Sequence, residues 1–151
     1  MFRGRHYHTI DAKGRVSIPS GFRLALQGSN SEQAPIATTG ATADGQCLWL
    51  YSYEDWGAYE EHVAGLGPND LDVQAYLRFL VSGATECPID SQGRILLPAF
   101  LREHAELERE VAIVGVGPRI EIWDKSLFDE NQSRTQEDFK RIAAVVAGLE
   151  R

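Results

Sequence analysis

A five-residue turn occurs twice in this chain, and no other feature limits its fold as tightly. Asp11-Ala12-Lys13-Gly14-Arg15 recurs as Asp90-Ser91-Gln92-Gly93-Arg94. His8-Thr9-Ile10 leads into the first copy and Val16-Ser17-Ile18-Pro19 leaves it; Cys87-Pro88-Ile89 leads into the second and Ile95-Leu96-Leu97-Pro98 leaves it. A short loop with a late glycine between β-prone runs has the composition of a β-hairpin, the glycine taking the positive φ that other residues resist. Each copy is therefore expected to close a local hairpin. Gly14 and Gly93 set the loop's shape, Asp11 and Asp90 fix it, and Arg15 and Arg94 pair across it or present a cation at its tip.

The repeat extends past the turns. The offset that carries Asp11 onto Asp90 also carries Ile10 onto Ile89, Ile18 onto Leu97, Pro19 onto Pro98 and Arg23 onto Arg102. At a shorter offset Leu48-Trp49-Leu50-Tyr51 matches Ile120-Glu121-Ile122-Trp123, so the first half carries an insertion. It falls in the polar stretch from Gly28 to Gly45, where added length costs little. At 151 residues the chain holds two such modules and no solenoid of three or more.

Taken in order, residues 5–52 form a first module, 53–83 a helical linker, 84–124 a second module and 125–151 a C-terminal helix. Pro19 and Pro98 each end a strand and open a short helix. Residues 35–39 and 47–51 read as strands, as do 110–116 and 119–123 turned by Gly117-Pro118. Ser52 is an expected N-cap for a helix bearing Trp56, Tyr59 and Val63. Asn69 is expected to cap the next, whose Val73, Tyr76, Leu77 and Leu80 recur at helical spacing before Gly83. A last helix from near Ser126 carries an apolar stripe of Phe139, Ile142, Ala143, Val146 and Leu149, expected to pack into the core, with packing on another subunit as the alternative. Each module alone has too little core to stand, and two pairing into one barrel would remove exposed edges. The expected class is mainly β with α (α+β).

Charge divides the chain. The formal net charge of −7 argues against a general nucleic-acid binder, since affinity for phosphate comes from Lys and Arg. Yet residues 1–25 hold Arg3, Arg5, Lys13, Arg15 and Arg23 against Asp11 alone, so the acidic excess lies entirely in the remainder. A basic edge on an acidic body focuses field locally. No apolar run is long enough to span a bilayer, and Met1-Phe2-Arg3-Gly4-Arg5 does not open a secretory leader. Cys47 and Cys87 lie beside apolar residues without metal-type spacing and read as reduced core cysteines, which fits a cytoplasmic protein.

Three site chemistries compete. A two-stranded ribbon fits the DNA major groove, where Arg reads guanine with two hydrogen bonds and further cations hold phosphate. Lys13, Arg15, Arg3 and Arg5 gather around the first copy. At the second, Gln92 replaces the lysine and Glu86 and Glu103 lie nearby, which favours a structural role for Arg94, although it remains a second DNA-contact candidate. His6 and His8 share one strand face as two metal ligands would, but no third or fourth ligand follows, so no metal or cofactor is expected. No nucleophile elbow or phosphate cradle occurs, so no enzyme is expected.

These residues, together with Met1-Phe2-Arg3-Gly4, Leu48-Trp49-Leu50-Tyr51, Val114-Gly115-Val116-Gly117 and Glu121-Ile122-Trp123, resemble the MraZ family from Met1 to about Phe128. The resemblance implies two tandem AbrB/SpoVT-like modules forming a double-psi, swapped-hairpin β-barrel with flanking helices. It implies a homo-oligomeric, octamer-like ring, associated with the nucleoid, that binds direct promoter repeats of the division and cell-wall gene cluster and usually represses it. The family's Asp-x-x-x-Arg motif falls on Asp11 and Arg15 and on Asp90 and Arg94, with the first arginine the natural DNA contact. Arg5 and His8 depart from the commoner residues at those positions. The alternative is an antitoxin-type module whose tail binds a protein partner; such a tail is expected to be disordered until bound, whereas residues 125–149 keep helical periodicity.

Overall fold

The computed structural model describes residues 1–28, 32–40 and 45–151, so the inserted polar stretch lies partly outside the described residues. Strands β1 (Arg5–Thr9) and β2 (Arg15–Ser17) are followed by helix α1 (Ser20–Gln27), β3 (Ile36–Thr39), β4 (Leu48–Tyr51), α2 (Tyr53–Ala64) and α3 (Leu71–Ser82). The second half comprises β5 (Thr85–Glu86), β6 (Arg94–Leu96), α4 (Ala99–His104), β7 (Glu110–Val116), β8 (Arg119–Asp124), α5 (Lys125–Glu137) and α6 (Phe139–Leu149). The class is α+β.

The strands flanking each turn do not form the local hairpin expected of them. β1 pairs antiparallel with β7, from Arg5 opposite Val114 to Thr9 opposite Glu110, and the Ile10 N–H extends this ladder to the Arg109 carbonyl at 2.8 Å. β2 instead pairs antiparallel with β6, placing Val16 opposite Ile95. Only the turn itself closes locally, with the Asp11 N–H donating to the Arg15 carbonyl at 3.0 Å. Long-range pairing wins because β7 offers β1 a longer partner than β2 could. It also lets Val16, Ile18, Ile95 and Leu97 bury almost completely. Residue pattern within one hairpin carries no information about a partner strand in the other half.

The remaining ladder is an open, mixed-order sheet, β1-β7-β8-β4-β3-β5, with all described pairs antiparallel. Both of its faces are covered, and alternation along each strand shows it. Leu48, Leu50, Val111, Ile113, Ile120 and Ile122 join a core with the β2–β6 ribbon and with Phe22, Leu26 and Leu101 of α1 and α4. Their neighbours Trp49, Tyr51, Ala112, Val114 and Trp123 face a second core with Trp56, Leu80 and Phe128 of α2, α3 and α5. Hence β4 and β8 are buried along nearly every residue, which explains their dense apolar composition.

Helix signals held with two shifts. The Ser52 hydroxyl accepts from the Asp55 N–H as expected, but Asp70 rather than Asn69 caps α3, its carboxylate accepting from the N–H groups of Asp72 and Val73. A charged acceptor at the N-terminus also complements the helix dipole. The C-terminal segment is two helices, broken at Asp138, and the stripe on α6 is not in the core: no α6 residue is buried, and Phe139 and Leu149 are 59% and 82% exposed. The polar face of α5 supplies no apolar surface for α6 to cover, so periodicity alone overstated its burial.

Gly14 has φ +91°, and a Cβ there would stand 2.7 Å from the Leu97 carbonyl oxygen. Gly14→Ala therefore combines a left-handed backbone with a clash and is expected to cost about 1–3 kcal/mol in urea unfolding. Gly21→Ala in α1, where a Cβ meets nothing within 4 Å, should stay within about 1 kcal/mol of wild type, on the stabilising side.

Candidate nucleic-acid interface

Each turn is built around its aspartate. Asp11 Oδ1 accepts from the backbone N–H groups of Lys13 and Arg15, both at 2.9 Å, and Oδ2 accepts from Arg15 Nε at 2.7 Å. Asp90 repeats the pattern, accepting the N–H groups of Gln92 and Arg94 at 2.9 Å and Arg94 Nε at 3.0 Å. The residue spacing makes this possible: a carboxylate at the first position of the turn reaches the two N–H groups that the loop leaves without ladder partners. The Arg15 N–H, followed by the Arg15 guanidinium and the Lys13 N–H, holds the Asp11 carboxyl down at about 2, from a usual 3.8. The corresponding Arg94 N–H, with that of Gln92 and the Arg94 guanidinium, lowers Asp90 in the same direction.

Both ion pairs are partly exposed, so their value lies in geometry more than in stability. The arginines bind through Nε alone. Among the described residues no acceptor is recorded for the Nη groups of Arg15 or Arg94, which leaves a planar two-pronged donor on each.

The ribbon brings these donors onto one surface. Arg15 stands opposite Leu96 and Arg94 opposite Ser17, while Val16 and Ile95 between them point into the core. By strand alternation Arg15, Ser17, Arg94 and Leu96 share the outward face, the two arginines being diagonal neighbours at roughly 7–8 Å. Two expected hairpin tips are thus one ribbon, a strand from each half.

The other candidates are dispersed. Lys13 is exposed in the first turn, beside Arg15. Arg3 is exposed ahead of β1. Arg5 lies over the Phe128 ring of α5 at 5.7 Å and reaches Gln132 at 3.4 Å, on the side of β1 opposite to His8. His8 shares a 2.7 Å hydrogen bond with the Ser17 carbonyl of β2, and His6 meets the Phe22 ring edge-on at 5.1 Å. Both histidines therefore stitch β1 to the ribbon side of the molecule. Cys47 and Cys87 are free and buried; burial raises both thiols, Cys87 to about 11, which keeps them protonated at neutral pH.

Arg23 and Arg102 were paired by the repeat but given no role by it. Their Nε groups donate to the Ile18 and Leu97 carbonyls, each at 3.0 Å, beside the turns. The missing signal was the strand exchange, since each arginine meets the turn of the other half.

Along nearly its whole length the chain is similar to proteins named as regulators of transcription. The chain is 43% identical over 143 residues, 95% of its length, to "Transcriptional regulator MraZ" of Thermoanaerobacter sp. strain X514, covering 94% of that protein. The protein of the same name in Alkaliphilus oremlandii is 44% identical over 149 residues, 99% of each chain. Residues 1–78 and 80–147 match the family described as MraZ protein, putative antitoxin-like. The chain belongs to the MraZ family.

Because its carboxyl is depressed in the folded state, Asp11 contributes stability that is present above its usual 3.8 and lost as pH falls toward about 2. The stability difference between wild type and Asp11→Asn should be constant from neutral pH down to roughly pH 5, shrink as pH falls through about 2, and level off only below that. Denaturant melts across that range, with carboxyl-carbon NMR of Asp11, check both the sign and the window.

Proposed function

We propose that the chain regulates transcription by binding double-stranded DNA with the outward face of the β2–β6 ribbon. The observation that carries this is the pair of arginines, diagonal on one face, each held by an aspartate through Nε with no acceptor for its Nη groups among the described residues. That face is the width of a two-stranded ribbon, which enters a major groove, and the Nη fork matches guanine O6 and N7. Arg15 is the principal base contact, flanked by Lys13 on phosphate; Arg94 lies on the same face with Gln92 in place of the lysine. Arg3 and Arg5 extend the cationic edge beyond the ribbon. The relatives' shared name, transcriptional regulator, supports the regulatory role.

The finer reading follows the family resemblance. Strands exchanged between the halves suit two AbrB/SpoVT-like modules whose swapped hairpins build a double-psi barrel. A homo-oligomeric, octamer-like ring in the nucleoid sets several ribbons against direct repeats in the promoter of the division and cell-wall cluster, with repression as the output. A chain of net charge −7 needs such multivalency, because each weak contact then benefits from high effective concentration.

A competing reading, an antitoxin-type module, draws on the exposed apolar residues of α6. It requires a tail that orders only on meeting a protein partner. Resistance of residues 125–149 to protease in the isolated protein counts against it, and rapid cleavage there favours it.

Titration of a duplex from the protein's own upstream region tests the DNA reading. Arg15→Ala is expected to weaken binding by about 1–3 kcal/mol with the oligomer unchanged by light scattering, and Arg94→Ala by less. Duplexes with tandem repeats should bind far better than single repeats. Wild-type affinity in both arginine variants sinks the ribbon as the contact surface.

A further inference from the structure

Two guanidinium groups brace the turns, and each comes from the opposite half of the chain. Arg102 of α4 donates Nε to the Leu97 carbonyl at 3.0 Å, and the Leu97 N–H donates to the Gly14 carbonyl at 2.8 Å. A Cβ on Gly14 would stand 2.8 Å from Arg102 Nε and 3.0 Å from its Cζ, so the guanidinium lies directly against the first turn. The second turn is the mirror of this. Arg23 of α1 donates Nε to the Ile18 carbonyl at 3.0 Å, the Ile18 N–H donates to the Gly93 carbonyl at 2.9 Å, and a Cβ on Gly93 would stand 2.5 Å from Arg23 Nη1. Arg23 and Arg102 are half-buried, and no carboxylate among the described residues is recorded as pairing with either.

We infer that Arg102 and Arg23 are positioning residues that act crosswise: Arg102 fixes the first turn, and with it Arg15 and Lys13, while Arg23 fixes the second turn and Arg94. The chemistry selects arginine. A planar guanidinium can lie flat on a glycine that lacks a Cβ while its Nε–H stays aimed at a strand carbonyl. Lysine has neither the plane nor a fixed donor at that point along its stem. The glycines therefore have a second function beyond their positive φ, which is to admit the opposing guanidinium. Two backbone bonds, Leu97 N–H to the Gly14 carbonyl and Ile18 N–H to the Gly93 carbonyl, cross between the halves, and each guanidinium, anchored through Nε on a carbonyl of its own half, packs against the glycine of the opposite turn. The effect on DNA rests on the proposed binding role of the first turn; the crossed brace itself does not.

Amide hydrogen exchange by NMR and DNA titration over a range of salt separate these two levels. Arg102→Met is expected to speed exchange at the Gly14 and Leu97 amides by about tenfold or more, leaving Gly93 and Ile18 within about twofold. Arg23→Met should show the reverse pattern. With the upstream duplex, Arg102→Met should lower affinity about tenfold while the slope of log affinity against log salt is unchanged, because a brace displaces no counterions. Arg23→Met should lower affinity less. Arg102→Lys keeps the charge and should not restore either readout; it also carries the test if the methionine variant does not fold. Exchange that is unchanged, or that rises equally at both turns, overturns the crossed brace. A salt slope reduced by about 0.9 makes Arg102 a phosphate contact and overturns the positioning role. Exchange that shifts as expected with affinity unchanged leaves the brace standing and removes the first turn as the DNA contact.

Discussion

The pairing of β2 with β6 is the constraint on which the rest of the structure depends. It consists of only three residues from each strand, too few to persist as an isolated ribbon. What holds it is what lies behind and at its ends. Val16 and Ile95 face each other inward and are 1% exposed each, so burying them contributes about 1.5–3 kcal/mol per side chain as an upper bound. At the ends, the Ile18 and Leu97 N–H groups reach the carbonyls of the opposite turn glycines. Loss of this ribbon would expose one wall of the core under the sheet and release both turns together.

The same constraint decides where charge can act. Acidic side chains cluster on α2 and α3, with Glu54, Asp55, Glu60, Glu61, Asp70 and Asp72 on those helices or their caps. These helices cover the sheet face opposite the ribbon core. The sheet and its two cores thus lie between these carboxylates and the ribbon. The carboxylates of α2 and α3 stand away from the ribbon, and residues 1–25 carry five cations against Asp11 alone, so a chain with negative net charge still presents a locally cationic edge.

Much of this was legible in the residues, and the limits fall at definite places. The turns, their aspartates, the helix starts at Pro19 and Pro98, the Ser52 cap and the β7–β8 turn at Gly117-Pro118 all rest on interactions within a few residues, and sequence reports such interactions directly. Pairing of β1 with β7 and of β2 with β6 is set by burial across more than seventy positions, for which a single sequence has no periodic mark. The α6 stripe shows the converse error: its spacing is helical and apolar, yet nothing in spacing states whether a partner surface exists. Lys13, Arg15 and Arg94 were singled out as candidates by type and position, whereas the Nε-only pairing of the two arginines follows from the turn's three-dimensional closure. Arg5 was grouped with them by proximity in sequence, and strand alternation sends it instead toward α5.

Duplication raises a question of symmetry that the turn residues themselves answer. Two identical arms related by a twofold would give the ribbon no direction, and a directionless ribbon suits a palindrome. The direct repeats of the proposed function have a direction, so on that proposal the twofold must be broken. The framework keeps it intact: the Asp–Arg bonds are 2.7 and 3.0 Å, the turn-closing backbone bonds 3.0 and 2.8 Å, and both glycines have positive φ, +91° and +76°. The break lies in what decorates it. Lys13 stands where the second turn has Gln92, and a single cation at one end of a ribbon moves phosphate contact to that end. A symmetric scaffold thereby supplies rigidity through reciprocal pairing, and in the proposed DNA-binding role the one lysine would supply the polarity.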